Sequence, residues 1–488
     1  LRTKVAAVVG SMLIATSLLA GSGYAKQANQ ANQAPQKQKY VIAFQFSLPV
    51  DYETIVTKAG GTVLRAIPEL GGLEAESERP DFLSNLNGIS GIQAANPELE
   101  YKLDEDTAAA DGQPVTDIPQ DADTYWSYQW DIQRITNNGA SYNLETGGTT
   151  NPDGTVTHKA VVGVIDTGID ADHPDLKANF LGGVNFVPAG VDASETGDPS
   201  DIRDREGHGT HVAGSIAASG KVKGVGPGLG IRSYRVFAAE GGAPTSWIAA
   251  AIVQAAKDKV DVINMSIGGY DGIARYTYNG IKYNDVADFL LWKRALQYAV
   301  GRNVTVVAAA GNESLDLNDS KAVVNYINQT YGYLGLTFKS AVREVPGTLP
   351  GVINVSSSNQ WSSDKIAFYS NYGSAIDVAA PGGDNGPVYD ASRNLDERDF
   401  HYRTLSTWPT YLEPYFTSNL RGYALLHGTS MAAPKVAGIA GVIKAAHPEY
   451  TPAQVQALIK QTANDLGKPG QDPLFGSGEA NIFNALSR

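Results

Sequence analysis

No cysteine occurs among the 488 residues. That excludes disulfides, thiolate metal sites and a cysteine nucleophile, and says little about compartment. Charge is scarce as well. Asp, Glu, Lys and Arg make up 18% of the chain, and 51 acidic against 38 basic residues leave a net charge of −13. This balance argues against nucleic acid or an anionic membrane as the main partner. Beyond the N-terminal stretch, no apolar run is long enough to span a bilayer. What is plentiful is glycine, with 52 residues, beside a hydrophobic content of 42%. Such a composition suits a loop-rich globular α/β enzyme better than a disordered or coiled-coil protein.

Arg2 and Lys4 precede an apolar run over 5–20, and small residues follow at Gly23 and Ala25. A basic start, a short apolar segment and small residues form the pattern of a secretory signal peptide over 1–25. A secreted, extracellular protein with no membrane attachment after signal cleavage is expected. Residues 26–38 are rich in Gln and Asn and predict no structure. From Tyr40 the pattern reads β-α-β-β-α-β, a compact ferredoxin-like α+β unit that closes a region spanning 26–103. Residues 104–123 carry seven acidic side chains and no basic one, which predicts an exposed linker open to nicking. From 124 to 488 buried strands at 160–165, 260–265, 304–310 and 352–355 alternate with helices at 245–258, 285–300, 430–446 and 452–462. The expected fold class is α/β, a doubly wound and mostly parallel sheet with its site at the carboxyl ends of the strands.

Four short segments carry chemistry. Ser430, in Gly428-Thr429-Ser430-Met431-Ala432-Ala433-Pro434, opens a helix whose first N–H groups have no intrahelical partner. Taken singly it reads as a helix cap. Asp166 ends an apolar strand, where a carboxylate is costly to bury unless its charge is used. His208 and His211 lie three apart in Gly207-His208-Gly209-Thr210-His211. A metal pair is one reading of them, but no Glu stands between them as in zinc-protease helices, so one base and one packed histidine fit better. Asn312 closes the strand Val306-Val307-Ala308-Ala309-Ala310-Gly311-Asn312, either as a turn residue or as an amide donor into the same pocket.

Together, in the order Asp, His, Ser, these segments resemble the subtilisin family of serine peptidases over 123–488. The unit before them resembles that family's inhibitory propeptide. The resemblance implies that Ser430 is the nucleophile, His208 the general base and then acid, and Asp166 its orienting acid. Asn312 and the Ser430 N–H would hold the oxyanion, and His211 would be structural. It also implies that Ser266 and Gly268, in Ser266-Ile267-Gly268-Gly269, pair with extended substrate. Glu344, before Val345-Pro346-Gly347, would floor the pocket for the residue preceding the cut. A carboxylate there favours Arg or Lys, and a solvated glutamate answering Arg343 is the competing reading.

No cofactor or metal is required for this chemistry, and structural calcium stays open. Asp175 matches a family calcium ligand, but the loop 219–224 is short; Asp198, Asp201 and Asp204 offer a second set of oxygen ligands, for which a solvated acidic loop is the better reading. The expected partners are a protein or peptide substrate and the chain's own propeptide acting as intramolecular inhibitor, with the protein a monomer. Gln129-Trp130-Asp131 and Tyr234-Arg235-Val236-Phe237 further resemble lantibiotic leader peptidases. Broad extracellular proteolysis and dedicated leader processing both remain open. The alternative from another class is a catalytically silent subtilase-fold binding protein. The enlarged, aromatic-rich segment 384–427 is either a packed surface excursion or a recognition wall.

Overall fold

The computed structural model describes residues 37–103, 115–239, 241–272, 275–278, 280–283, 286–339, 342–413 and 420–488. The expected signal peptide and the linker residues 104–114 lie outside these, as do residues 414–419 of the enlarged segment.

The N-terminal unit runs β1 (Gln38–Phe44), α1 (Tyr52–Ala59), β2 (Thr62–Ile67), β3 (Gly72–Ser77), α2 (Phe82–Leu86) and β4 (Ile92–Pro97). Its strands form one antiparallel sheet in the order β2-β3-β1-β4, the ferredoxin-like arrangement expected. Ile42, Phe44, Val56, Leu73 and Phe82 fill its core. A further two-residue strand, β5 (Glu100–Tyr101), leaves this unit and pairs elsewhere.

The rest of the chain is built on seven parallel strands. They are β6 (Val161–Asp166), β7 (Phe180–Asn185), β8 (Gly230–Arg235), β10 (Val262–Met265), β12 (Thr305–Ala309), β14 (Val352–Ser358) and β15 (Val378–Pro381). They lie in the order β15-β14-β12-β10-β6-β8-β7. Both faces of the central strands are covered, so β6, β10 and β12 read as nearly unbroken apolar runs. Side chains still alternate across the sheet. Val162, Val164, Val307 and Ala309 pack with α3 (His208–Ala217) and α6 (Thr429–Ala446). Ile165, Val306 and Ala308 pack with α4 (Thr245–Lys257) and α5 (Ala287–Val300) on the other face. A last helix, α7 (Pro452–Thr462), starts with the capping box expected from Thr451 and Gln454.

One expectation needs correcting. Val115 and Ile118 are 5% and 1% exposed and belong to the main hydrophobic core. The second half of the acidic segment is therefore folded against the larger domain, because two apolar side chains anchor it.

The two units meet where α4 and α5 begin. Neither helix receives a side-chain bond from its own cap residue, Pro244 or Val286. The N-terminal unit supplies those bonds instead. Glu98 accepts from the Ser246 N–H at 2.8 Å. Asn96 accepts from the Ala287 N–H and donates to Asp288, which also accepts from the Leu99 N–H. These contacts satisfy helix-end donors that would otherwise be orphaned. Asn96→Ala should therefore weaken the seating of this unit by ~1–2 kcal/mol. A lowered urea midpoint of the full chain, measured in a Ser430→Ala background, is the expected result.

Candidate active site

Asp166 is the last residue of β6, His208 the first of α3, and Ser430 the second of α6. The topology thus brings all three to the carboxyl edge of the sheet. His208 Nδ1 lies 2.7 Å from Asp166 Oδ1, which also accepts from the Thr167 N–H at 2.8 Å. Asp166 is 1% exposed. Burial by itself pushes His208 downward, but the Asp166 carboxylate, its hydrogen bond and then Glu206 reverse this and hold the imidazole at about 9.

The start of α3 is set by Asp204, which is fully buried. Its Oδ1 accepts from Thr167 Oγ1 at 2.8 Å and from the Glu206 and Gly207 N–H groups at 3.1 and 2.7 Å. Its Oδ2 accepts from the N–H and hydroxyl of Thr210 at 2.9 and 2.6 Å. Glu206 stands at the cleft, where its Oε2 accepts from the His208 N–H at 2.7 Å. Burial raises its carboxyl to about 7, against the opposing charge of His208.

Ser430 is tied to Ser266 from both sides. Its hydroxyl donates to the Ser266 carbonyl at 3.0 Å, and the Ser266 hydroxyl donates to the Ser430 carbonyl at 2.7 Å. The second bond has a clear cause. Pro434 lies inside α6 four residues on and has no N–H to give the Ser430 carbonyl. Asn264 in turn donates to the Ser266 hydroxyl at 3.0 Å. Asn312 accepts from both the N–H and the hydroxyl of Thr429, at 2.9 and 2.8 Å, through its amide oxygen. A Cβ built on Gly428 would lie 3.6 Å from both Asn312 Nδ2 and the Ser430 nitrogen. Gly428 has φ 151°, so the space between these two donors is kept open by a residue with no side chain.

His211 is fully buried, with Nε2 3.2 Å from the Thr404 and Ala424 carbonyls. Burial, then the charges of Lys435 and His208, push it down to about 3, so it is neutral. Thr404 and Ala424 belong to a hairpin, β16 (Thr404–Thr407) with β17 (Tyr423–Leu426). Ser406 and Thr407 donate to the His211 and Thr210 carbonyls, and the Trp408 indole lies where any side chain on Gly207 would sit. The described part of the enlarged segment is therefore packed against the helix that carries His208.

The cleft beside these residues, of ≈ 510 Å³, is lined by Gly268, Gly269, Tyr270, Glu206 and Glu313 among others, with Lys102 and Leu103 lying in it. Glu344 does not line it. On β13 (Val342–Val345), opposite Tyr270 of β11 (Gly269–Gly272), Glu344 is 1% exposed and accepts from the Gly347 and Thr348 N–H groups at 3.3 and 3.0 Å. Burial, with Glu313 adding to it, raises its carboxyl far above the usual range. The solvated reading of Glu344 is therefore excluded. Glu313, which sequence reasoning passed over, lines the cleft together with Glu206 and accepts from Tyr270 and Asn371 at 2.6 Å each. Its only sequence signal is its position directly after Asn312.

Two further residues support the edge from below. Lys435 is fully buried one turn beyond Ser430 and lies 2.8 Å from Asp131 Oδ2 and 3.0 Å from the Met431 carbonyl.

The calcium candidates do not form a cage. Asp175 Oδ2 accepts from the Val222 N–H and the Tyr423 hydroxyl at 3.0 and 3.1 Å. Asp198 accepts from Ser200, Asp201 pairs with Arg205, and Asp204 is spent on the start of α3. Among the described residues no group of three or more His, Cys, Asp or Glu is placed to hold a metal. No described helix is long and apolar enough to cross a membrane.

This arrangement has relatives. The family model described as the Subtilase family matches residues 157–478, and the chain belongs to that family. It is 34% identical over 348 residues to the nisin leader peptide-processing serine protease NisP of Lactococcus lactis subsp. lactis, covering 70% of this chain and 47% of that protein. It is 29% identical over 427 residues to the epidermin leader peptide-processing serine protease EpiP of Staphylococcus epidermidis, covering 86% and 87%. The crystal structure of EpiP from Staphylococcus aureus is 29% identical, with a TM-score of 0.73 over 93% of this chain and 98% of that one. The chain thus spans about half the length of the nisin relative and most of the epidermin one.

The His208 environment makes a signed prediction. A base must be neutral to work, so hydrolysis should rise with pH as His208 loses its proton. Glu206→Gln removes a charge that favours the imidazolium, so the inflection in kcat/KM against pH should move downward. An unmoved or raised inflection would contradict the assigned cause.

Proposed function

We propose that the chain is a secreted serine endopeptidase, made as a precursor inhibited by residues 26–103, that cuts after Arg or Lys. The observation that carries this reading is the Asp166–His208 bond at 2.7 Å, at the same sheet edge as the helix opening with Ser430. Asp166 holds Nδ1 and stabilises the imidazolium, leaving Nε2 to take the Ser430 proton. A turn of the Ser430 hydroxyl away from the Ser266 carbonyl presents it to that base. As the tetrahedral adduct forms, its oxygen enters the space between Asn312 Nδ2 and the Ser430 N–H. His208 then returns the proton to the leaving amine, and water repeats the cycle on the acyl-enzyme.

Support for the inhibited precursor comes from β5, which adds antiparallel to β9 (Ala243–Pro244), with Lys102 and Leu103 continuing into the cleft. This is how an extended substrate gains affinity from main-chain bonds while its side chains are left for selection. Support for a basic residue before the cut comes from Glu313 at the cleft and Glu344 beneath it. A buried cation would release both carboxylates from mutual repulsion. The nisin and epidermin relatives are leader peptide-processing proteases, and this favours dedicated processing over broad degradation.

Ser430→Ala should abolish hydrolysis, whereas Asn312→Ala should lower kcat by ~10²–10³, about 2.7–4 kcal/mol, a magnitude taken over from subtilisin itself. Near-normal turnover by Ser430→Ala would overturn the assignment of Ser430 as nucleophile, whereas absence of turnover in the unaltered mature chain would leave the silent binding protein. Reporter peptides differing only before the cut test the second part. Arg should exceed Phe in kcat/KM, and Glu313→Gln with Glu344→Gln should level them.

A further inference from the structure

Tyr101 is seated far more deeply than strand pairing requires. It lies opposite Ala243 in the β5–β9 pair and is 2% exposed. Its ring enters beside Gly269, where any Cβ would come within 2.2 Å of Tyr101 Cδ1. The ring stands edge-on to Trp292, with centroids 5.5 Å apart. The Trp292 indole N–H donates to the Tyr101 hydroxyl at 2.9 Å. Asp271, fully buried, has neither carboxylate oxygen partnered. Burial first, then Asp271 and Asp288, push the Tyr101 hydroxyl far above its usual range, so the phenol stays neutral and remains able to accept from the indole.

Tyr101 belongs to the N-terminal unit, whereas Gly269, Asp271, Asp288 and Trp292 belong to the catalytic domain. Once the unit departs, the seat remains with an indole donor at its end. We propose that this seat is a tyrosine-reading subsite, selecting substrates that place a tyrosine on the strand added to Ala243–Pro244 and sensing its hydroxyl through Trp292. The proposal rests on the peptidase reading and adds a second point of selection, upstream of the residue before the cut.

The discrimination runs on unsatisfied polar groups rather than on size. Phenylalanine fills the same volume but leaves the Trp292 N–H without an acceptor in a desolvated slot. Sites built to bond a hydroxyl reject the analogue lacking it far more strongly than apolar pockets reject a small change in bulk. Leucine and alanine lose the hydroxyl and also leave a void.

The test uses the mature enzyme and internally quenched peptides that share one Arg before the cut. Tyr and Phe are exchanged in turn at the third, fourth and fifth residues upstream. At one of these positions kcat/KM for Tyr should exceed that for Phe by at least about tenfold. Trp292→Phe should bring the Tyr-to-Phe ratio close to one. A wild-type ratio within twofold at all three positions overturns the proposal, and this readout needs no variant to fold. A high ratio that survives in Trp292→Phe also overturns it. A retained Tyr ratio in an enzyme that does not prefer Arg over Phe before the cut would sustain this subsite and reject only the basic-residue reading. Absence of cleavage altogether would remove both.

Discussion

The geometry of the site depends on one buried carboxylate that takes no part in the chemistry. Asp204 accepts from Thr167, directly after Asp166, and from Gly207 and Thr210 on either side of His208. Thr167 closes the loop by accepting from the Gly209 N–H at 2.8 Å. A strand end and a helix start, which arrive from different parts of the sheet, are thereby held to one anion. Burying that anion is costly, and only a full set of donors offsets the cost. The 2.7 Å separation of Asp166 and His208 follows from this arrangement as much as from their own attraction.

The layered fold was legible because its strands are covered on both faces and so appear as apolar runs. The observed elements begin and end within a few residues of those expected, and the box at Thr451 marked the start of its helix. Asp166, His208, Asn312 and Ser430 were legible because each stands at the junction of such a run with a small-residue turn or helix. What the sequence hid were residues whose meaning depends on partners far along the chain. Val115 and Ile118 fell inside the segment expected to be an exposed linker, yet they anchor its second half to the core. Asp204 resembled a cation ligand because carboxylate spacing does not reveal the N–H groups that already occupy it. Glu313 went unread because the residues that hold it, Tyr270 and Asn371, are distant in sequence.

Ser266 and the N-terminal unit illustrate a shared economy. In each case a backbone group left without a local partner is satisfied from elsewhere. Pro434 deprives the Ser430 carbonyl of its helical donor, and Ser266 supplies one. The ends of α4 and α5 lack their own caps, and Glu98 and Asn96 provide them. The first substitution is permanent and holds Ser430 against Ser266, at the end of the strand closed by Met265. The second lasts only while the N-terminal unit is seated, so its loss returns helix-end donors to water.

The pairing of β5 with Ala243–Pro244 also has a consequence for what the enzyme leaves alone. A segment can join that edge only if its own backbone N–H and C=O groups are released from whatever structure they occupy. A helix or an interior strand must first be unravelled locally, and the free energy of that opening is subtracted from binding. With substrate added there as proposed, the edge would act as a filter for local foldedness that operates before any side chain is read. Flexible tails and junctions pass through it, while the well-knit body of a folded neighbour, or of a second copy of the enzyme, does not.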